Sequence, residues 1–226
     1  MNHIKRQIFL GLTISAILLL SSFQSNAQKA EIGFRFMPTF SSLNLKTSSG
    51  GNVTGKATLG YGVGAVLGFF FTEHVGVQGE IIYSTITQKY TEVERENTVN
   101  LKYINIPLLL SLNTGITSRV NLNAVIGPQI GLNVGSSVST QGAEGTSYTQ
   151  AIVSVKKSDL GFAYGAGLDF SLNPSNNIRL GVGYRGVYGL FDISNNNKTA
   201  ESNSFYVVDK THIKTNSLYL GLSFLF

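Results

Sequence analysis

Cysteine is absent from this 226-residue sequence, which excludes disulfides, thiolate chemistry and a lipid-modified N-terminal cysteine. Charged side chains are also scarce, at 13% of residues, against roughly 25% in typical soluble domains. Beyond the N-terminus there is no uninterrupted apolar run of the ~18 residues that a membrane-spanning helix needs. Low charge without spanning helices is typical of alternating strands in a lipid-facing barrel.

The N-terminus has the three parts of a secretory signal peptide. A basic start precedes an apolar stretch at 8–20, and Ser25 and Ala27 occupy the −3 and −1 positions of a cleavage site. The apolar stretch is too short to cross a bilayer as an uncleaved anchor. The sequence therefore predicts a signal peptide over residues 1–27 and an outer-membrane β-barrel domain over residues 28–226.

Alternation between apolar and small or polar residues recurs along the rest of the chain. It is clearest from Leu59 to Phe71, where every second residue is apolar and most of the others are glycine. A period of two indicates a β-strand, and the length suits a tilted strand that crosses a bilayer in ~9–11 residues. Tyr103 and Ile104 interrupt the alternation in one segment, where we expect a β-bulge around Pro107. Eight segments have the pattern: 30–37, 59–71, 75–84, 101–112, 119–134, 160–172, 178–186 and 217–226.

Short and long connections alternate between these segments. The short ones are 72–74, 113–118 and 173–177, and the long ones are roughly 41–58, 86–99, 135–159 and 191–214. This asymmetry is typical of bacterial outer-membrane barrels, whose short turns are periplasmic and whose long loops are extracellular. We therefore predict an all-β fold, an eight-stranded antiparallel up-and-down transmembrane β-barrel. The predicted location is the bacterial outer membrane, reached through the general secretory pathway, with both termini periplasmic.

A soluble eight-stranded barrel of the lipocalin type is the main structural alternative. Its apolar residues would face inward, and the other face of its strands would be the solvated surface. In this sequence the non-apolar face is dominated by glycine and carries few charges, which would make a poor soluble surface. Together with the predicted signal peptide, this favours the membrane barrel.

Four segments are similar to a known family. They are Tyr103–Leu112, Gly127–Gly135, Gly165–Leu172 and the final segment 220–226. They resemble the outer membrane β-barrel (PorT-like) family, which is common in the Bacteroidetes. The resemblance extends over nearly the whole mature chain and implies an outer-membrane barrel. PorT itself is tied to the type IX secretion system, but the resemblance alone does not imply a secretion factor.

The alternation places a set of charged residues inside the predicted barrel. They are three acids and three bases: Glu31, Arg35, Glu80, Asp169, Arg179 and Arg185. Charges enclosed in a narrow lumen must pair or be hydrated. We therefore expect a polar network with a structural role that fills the lumen. A gated polar path or a small-ligand site is the functional alternative.

The sequence gives little support for catalysis or metal binding. Outside the predicted signal peptide the histidines are His74, in a short turn, and His212, in the last long connection. They should lie at opposite ends of the barrel, so they cannot share a metal site or a Ser-His-Asp arrangement. We predict no catalytic residues, no metal and no cofactor. Without Lys5 and Arg6 of the predicted signal peptide, 15 basic residues face 12 acidic ones, and this net charge of +3 is too small and too scattered to indicate a nucleic-acid partner.

The final segment ends on an aromatic residue in the middle of a strand pattern. Its apolar positions should face lipid, and Phe226 should lie in the aromatic girdle at the periplasmic interface. The last strand must close against the first, because an unpaired edge is not tolerated in a membrane. Phe224 and Phe226 also resemble the signal that the barrel-assembly machinery reads on such strands, and we predict this role for them.

These observations predict a non-enzymatic outer-membrane protein with a structural, anchoring or interaction role. Accessory work in protein secretion and conduction of small solutes are the alternatives. The expected partners are outer-membrane lipids, the barrel-assembly machinery during biogenesis, and extracellular or envelope proteins that contact the long loops. The loop segments most exposed to such contacts are 88–97, 135–149 and 194–204.

Overall fold

The computed structural model describes residues 29–42, 44–47, 52–54, 56–92, 95–141, 157–190, 206–207 and 214–226. The predicted signal peptide over residues 1–27 and His212 lie outside these ranges. Within the described part of the chain, no helix is long and apolar enough to span a membrane.

The described residues form β-strands joined by turns and longer connections. The strands are β1 (Lys29–Ser42), β2 (Asn44–Thr47), β3 (Asn52–Thr54), β4 (Lys56–Phe70), β5 (Val75–Glu92), β6 (Arg95–Asn113), β7 (Val120–Gln141), β8 (Ser158–Ser171), β9 (Ile178–Gly189), β10 (Tyr206–Val207) and β11 (Lys214–Leu225). Strands β1, β4, β5, β6, β7, β8, β9 and β11 close into an antiparallel barrel in this order, and β11 pairs again with β1. This confirms the predicted eight-stranded all-β barrel.

Strands β1 and β11 join the two ends of the sheet. Glu31 pairs with Leu225, and the pairing continues along most of both strands. Ala30 and Phe226 exchange two backbone hydrogen bonds, at 3.2 and 2.8 Å. Neither strand therefore leaves an unpaired edge at this seam, as a membrane-embedded sheet requires.

The two ends of the barrel differ. The short connections 71–74, 114–119 and 172–177 lie at one end, where backbone hydrogen bonds join each of them to a neighbouring strand or turn. Ala30 and Phe226 lie at this same end, which we call the turn side. The strand ends that lead into the long connections lie at the opposite end, which we call the loop side.

The two faces of the barrel wall also differ, as the alternation predicts. Large apolar side chains point outward, with Phe34, Ile81 and Leu108 exposed by 63%, 60% and 62%. Inward-facing residues such as Val66 and Glu80 are only 2% exposed. A continuous apolar outer surface is favourable in lipid and promotes aggregation in water. The outward direction of the apolar face therefore excludes the lipocalin-type alternative.

The prediction of a β-bulge around Pro107 is wrong in its position. The register shift between β6 and β7 falls between Lys102 and Tyr103, which pair with Gly135 and Asn133, so that β7 carries one extra residue. Strand β6 alternates regularly through Pro107, although its pairing with β5 is interrupted there because proline has no N–H to donate. Tyr103 disturbs the sequence pattern because it is an apolar residue on the lumen face, where it is 1% exposed.

The predicted long connections contain more strand than the sequence indicated. Strands β5 and β6 continue into the second of them and stay paired as far as Glu92 and Arg95. Strand β7 continues to Gln141, inside the third. Strands β2, β3 and β10 form a separate three-stranded sheet within the first and last connections. These three strands are too short to show a period of two in the sequence.

Candidate functional site in the barrel lumen

Glu80 is the centre of the polar network in the lumen. Strand β5 directs its carboxylate inward, where Arg35 from β1 and Arg185 from β9 meet it. Glu80 Oε1 lies 2.5 Å from Arg35 Nη1 and 2.9 Å from Arg185 Nη2. Glu80 Oε2 accepts a further hydrogen bond from Arg185 Nη1 at 3.2 Å, and the side-chain amide of Gln78 also donates to the carboxylate. One carboxylate therefore holds two arginines together across the barrel.

These central charges are removed from solvent. The side chain of Glu80 is 0% exposed, that of Arg185 is 2% exposed and that of Arg35 is 11% exposed. Arg185 grips the carboxylate with both terminal nitrogens, the geometry in which an arginine–carboxylate pair is strongest. A buried group of this kind is stable only while every charge has its partner.

Tyr219 fills the lumen beside the central ion pairs. The guanidinium carbon of Arg35 lies 4.5 Å from the centre of the Tyr219 ring, within cation–π range. The Tyr219 hydroxyl donates to Asn123 Oδ1 at 3.4 Å. A Cβ atom on Gly167 or Gly183 would come within 1.9 or 2.6 Å of Tyr219 atoms. The absence of side chains at these two glycines on β8 and β9 therefore makes room for the ring of Tyr219.

Asp169 lies on the turn side of the central ion pairs. Its Oδ2 accepts hydrogen bonds from the side-chain amides of Asn121 and Asn123, at 3.0 and 2.7 Å. Glu31 and Asp169 both line two small cavities, of about 20 and about 10 Å³. Each cavity has room for about one water molecule. Neutral amides are therefore the hydrogen-bond partners of the Asp169 carboxylate.

The turn between β6 and β7 folds across the end of the barrel and closes it. Ile116 in this turn is 2% exposed and packs against Phe70 and Leu225. Arg179 Nη1 donates to the carbonyl oxygens of Ile116 and Ser118, at 2.5 and 3.1 Å. We call the apolar cluster of Phe70, Ile116 and Leu225 the turn-side floor. It closes the lumen a second time, below the central ion pairs.

Hydrogen bonds between neighbouring turns hold the floor in place. Thr117 Oγ1 donates to Glu73 Oε1 at 2.8 Å, and Asn176 Nδ2 donates to the Thr117 carbonyl oxygen at 2.8 Å. His74 lies in the same region, with Nδ1 3.2 Å from the carbonyl oxygen of Asn113. Nowhere in the described ranges are three or more His, Cys, Asp or Glu side chains grouped to hold a metal ion.

The structure places the predicted lumen charges inside the barrel but distributes them over two levels. Arg35, Glu80 and Arg185 form the central ion pairs, whereas Glu31, Asp169 and Arg179 lie on the turn side. Asp169 and Arg179 are neighbours across the β8–β9 ladder. Arg179 Nη2 donates to the backbone carbonyl oxygen of Asp169, at 3.4 Å, and not to its side-chain carboxylate. Their expected structural role stays a prediction.

Sequence reasoning missed several residues that fill the lumen. Ile82 and Tyr219 lie on the inward face of their strands and are 6% and 5% exposed. Asp159 lines the loop-side half of the lumen and continues the alternation of Asp169 along β8, so one further residue of strand would have included it. Ile116 gave no sequence signal, because a turn residue belongs to neither face of a strand.

Comparison with known proteins shows which family this chain belongs to. Residues 24–195 match the model of the outer membrane protein beta-barrel domain. The chain belongs to this family. The family fits the closed barrel and its apolar outer face, and it supports a location in the bacterial outer membrane. The finer resemblance to the PorT-like proteins stays a prediction.

Solved structures of other outer-membrane proteins share the family's barrel fold. The crystal structure of OprG from Pseudomonas aeruginosa is 16% identical, with a TM-score of 0.54 over 88% of this chain and 96% of that one. The solid-state NMR structure of outer membrane protein AlkL is also 16% identical, with a TM-score of 0.51 over 89% of this chain and 91% of that one. At such identities the likeness shows the fold alone. No curated protein sequence matches the chain.

Proposed function

We propose that this protein is a closed, non-enzymatic barrel that is anchored among outer-membrane lipids and presents its loop side to extracellular or envelope proteins. The observation that carries this proposal is the double closure of the lumen. The central ion pairs of Glu80 block it at one level, and the turn-side floor blocks it at another. What remains for function is the outer surface and the loop side.

The two closures obstruct solutes in different ways. A solute that passes the centre has to displace a carboxylate held by two arginines, and each separated charge would then lie buried without its partner. A solute that passes the floor has to move a turn that Arg179 holds through two backbone carbonyls. Both changes are costly, so spontaneous opening of a continuous path is not expected.

The proposed orientation and export route rest on the architecture and on the leader-like N-terminus. Ala30 and Phe226 lie on the turn side, together with the short connections. In outer-membrane barrels the short turns are periplasmic. Periplasmic termini, an extracellular loop side and export as a signal-peptide-bearing precursor are therefore part of the proposal.

Conductance of the purified protein in planar lipid bilayers tests the closed-barrel proposal. We expect no steady current, because neither closure leaves a continuous aqueous path. Folding is verified on the same sample by gel electrophoresis, because a folded barrel migrates differently in an unheated sample and in a heated one. Reproducible steps of constant open current from folded protein would contradict the closed barrel and favour a small-solute pore.

A second candidate role is accessory work in protein secretion. It is supported by the resemblance of the segments at 103–112, 127–135, 165–172 and 220–226 to PorT-like proteins. Crosslinking in intact cells, followed by identification of the captured proteins, separates the two roles. Recovery of secretion-machinery subunits would favour the secretion role. Recovery of surface or other envelope proteins, without these subunits, is expected from the anchoring role.

A further inference from the structure

A third cavity lies in the lumen on the loop side of the central ion pairs. Its volume is about 50 Å³, more than twice that of either cavity below. It extends to Asp159 and Thr215, next to the first residues of β8 and β11. Neutral polar side chains from five strands line it: Thr39, Ser84, Asn105, Gln129, Thr215 and Ser217. We call this space the loop-side chamber.

The polar side chains of the chamber keep hydrogen-bonding capacity for a guest. Thr39 and Ser217 share one hydrogen bond of 2.7 Å, and Thr39 Oγ1 also donates to the Met37 carbonyl oxygen at 3.0 Å. Asn105 Nδ2 donates to Ser84 Oγ at 2.7 Å, and Asn105 Oδ1 accepts from Gln129 Nε2 at 3.3 Å. A hydroxyl group can take part in about three hydrogen bonds and a side-chain amide in about four. The observed bonds use only part of this capacity. Both donors and acceptors are therefore available toward the chamber.

Part of the remaining wall of the chamber is apolar. Ile82 and Ile86 line it from β5 and Val187 lines it from β9. Apolar lining with a few convergent polar groups is the usual composition of a small-molecule site. A guest that bears hydroxyl groups along one edge and C–H groups along the other matches both kinds of wall.

The charges near the chamber argue against an ionic guest. Both terminal nitrogens of Arg185 bind Glu80 and only its Nε lacks a partner, so this arginine has no free pair of terminal nitrogens for an anion. The Asp159 carboxylate also lines the chamber and would repel an anion, whereas the Arg185 charge would repel a cation. A neutral guest meets neither penalty.

The size of the chamber limits what it encloses. A volume of about 50 Å³ holds roughly three to five waters. A three-carbon polyol displaces about this number of waters. A whole sugar ring is larger, so only one hydroxyl-bearing edge of it would enter.

We propose that the loop-side chamber binds a neutral polyol group, either as a free small polyol or as the hydroxyl-bearing end of a glycan. This goes beyond the anchoring role, because it assigns the lumen a ligand. It is compatible with a closed barrel, since the chamber ends at the central ion pairs. The lumen is then a one-ended binding site.

Methyl NMR of the folded protein in dimyristoylphosphatidylcholine nanodiscs tests this proposal. Ile82 and Ile86 report on the chamber, and Ile116 in the turn-side floor is the internal control. We expect saturable shifts of the two chamber methyl groups, with Ile116 unchanged. Saturation with glycerol identifies a free polyol as ligand, whereas saturation with maltotriose alone identifies a glycan end. Shifts that do not saturate, or that are equal at Ile116, would overturn the proposal.

Gly62 offers a variant that narrows the chamber. A Cβ at this position would lie 3.2 Å from Ile82 Cγ2 and 3.5 Å from Met37 Cβ, so a methyl group fits with a small adjustment while occupying chamber space. We expect Gly62→Ala to weaken binding roughly tenfold. Gly79→Ala is the matched control, because a Cβ there meets no atom within 4 Å. Equal affinity of Gly62→Ala and the wild type would overturn the assignment to this chamber.

A second variant covers the case in which Gly62→Ala does not fold. Asn105→Leu keeps a similar volume and removes the amide that bridges Ser84 and Gln129. The expected loss of affinity is again roughly tenfold, because the hydroxyl groups of the guest would lose polar partners. Unchanged saturation by the same probe in folded Asn105→Leu would contradict the proposed polar wall.

Discussion

Replacing Glu80 by alanine is expected to lower the free energy of unfolding by about 3–5 kcal/mol. The substitution leaves Arg35 and Arg185 buried, close together and without a carboxylate. Breaking a buried ion pair by removing one partner is costly because the remaining charge has lost both water and its counter-charge. The measurement is the urea midpoint of unfolding in lipid vesicles, followed by heat-modifiable gel mobility.

Three further variants separate charge from shape at this centre. Glu80→Gln keeps the shape of the side chain but removes its charge. We expect it to destabilise the barrel nearly as much as Glu80→Ala does, because the two arginines need a negative charge. Asp169→Ala should cost less, about 1–3 kcal/mol, since its hydrogen-bond partners Asn121 and Asn123 are neutral. Lys157→Ala, at an exposed position just before β8, is the control with little effect. If Glu80→Ala unfolds at the same urea concentration as Lys157→Ala, the ion pairs do not stabilise the barrel.

Deletion of Phe226 is expected to cause a large loss of assembled protein in the outer membrane. The residue exchanges two backbone hydrogen bonds with Ala30 at the seam between β1 and β11. Its ring is 74% exposed on the turn side, where the barrel-assembly machinery would reach it. Loss of the residue removes both the last pair of the seam and the proposed assembly signal. The measurement is the membrane yield of protein with heat-modifiable mobility.

Phe226→Ala distinguishes the two contributions, because it removes the ring and keeps the backbone. If the ring is recognised, Phe226→Ala should lower the yield as much as the deletion does. If only the seam matters, Phe226→Ala should assemble normally. Phe69→Ala is the control, since Phe69 on β4 pairs with Ala30 on β1 and is 60% exposed at the same end. Normal yield of the deletion variant would refute both contributions.

The direction of each side chain could be predicted from the sequence because a strand has only two faces. The alternation from Leu59 to Phe71 required an apolar outer wall and a glycine-rich inner wall, and the structure has both. The same rule located the six lumen charges. It missed Asp159 because the strand was started one residue too late, since boundaries depend on pairing that composition does not reveal.

The contacts across the lumen could not be predicted in the same way. Arg35, Glu80 and Arg185 lie on β1, β5 and β9, and no two of these strands are adjacent in the barrel. Which levels coincide depends on the stagger of strands around the closed sheet, and this stagger is a property of the whole barrel. The turn-side floor could not be predicted for a different reason. Ile116 enters the lumen from a turn, and a turn has no alternation of apolar and polar residues.

The fit of Tyr219 against Gly167 and Gly183 also affects how substitutions combine. A side chain at either glycine collides with a ring that is itself held by Arg35 and Asn123. The cost of such a substitution therefore depends on position 219 and is not a property of the glycine site alone. A smaller residue at position 219 relieves only the part of the cost that comes from the ring, because a Cβ on Gly167 or Gly183 would also lie 2.8 or 2.5 Å from a backbone carbonyl oxygen of the neighbouring strand. The effects at these positions are therefore strongly non-additive, and these residues can change only together.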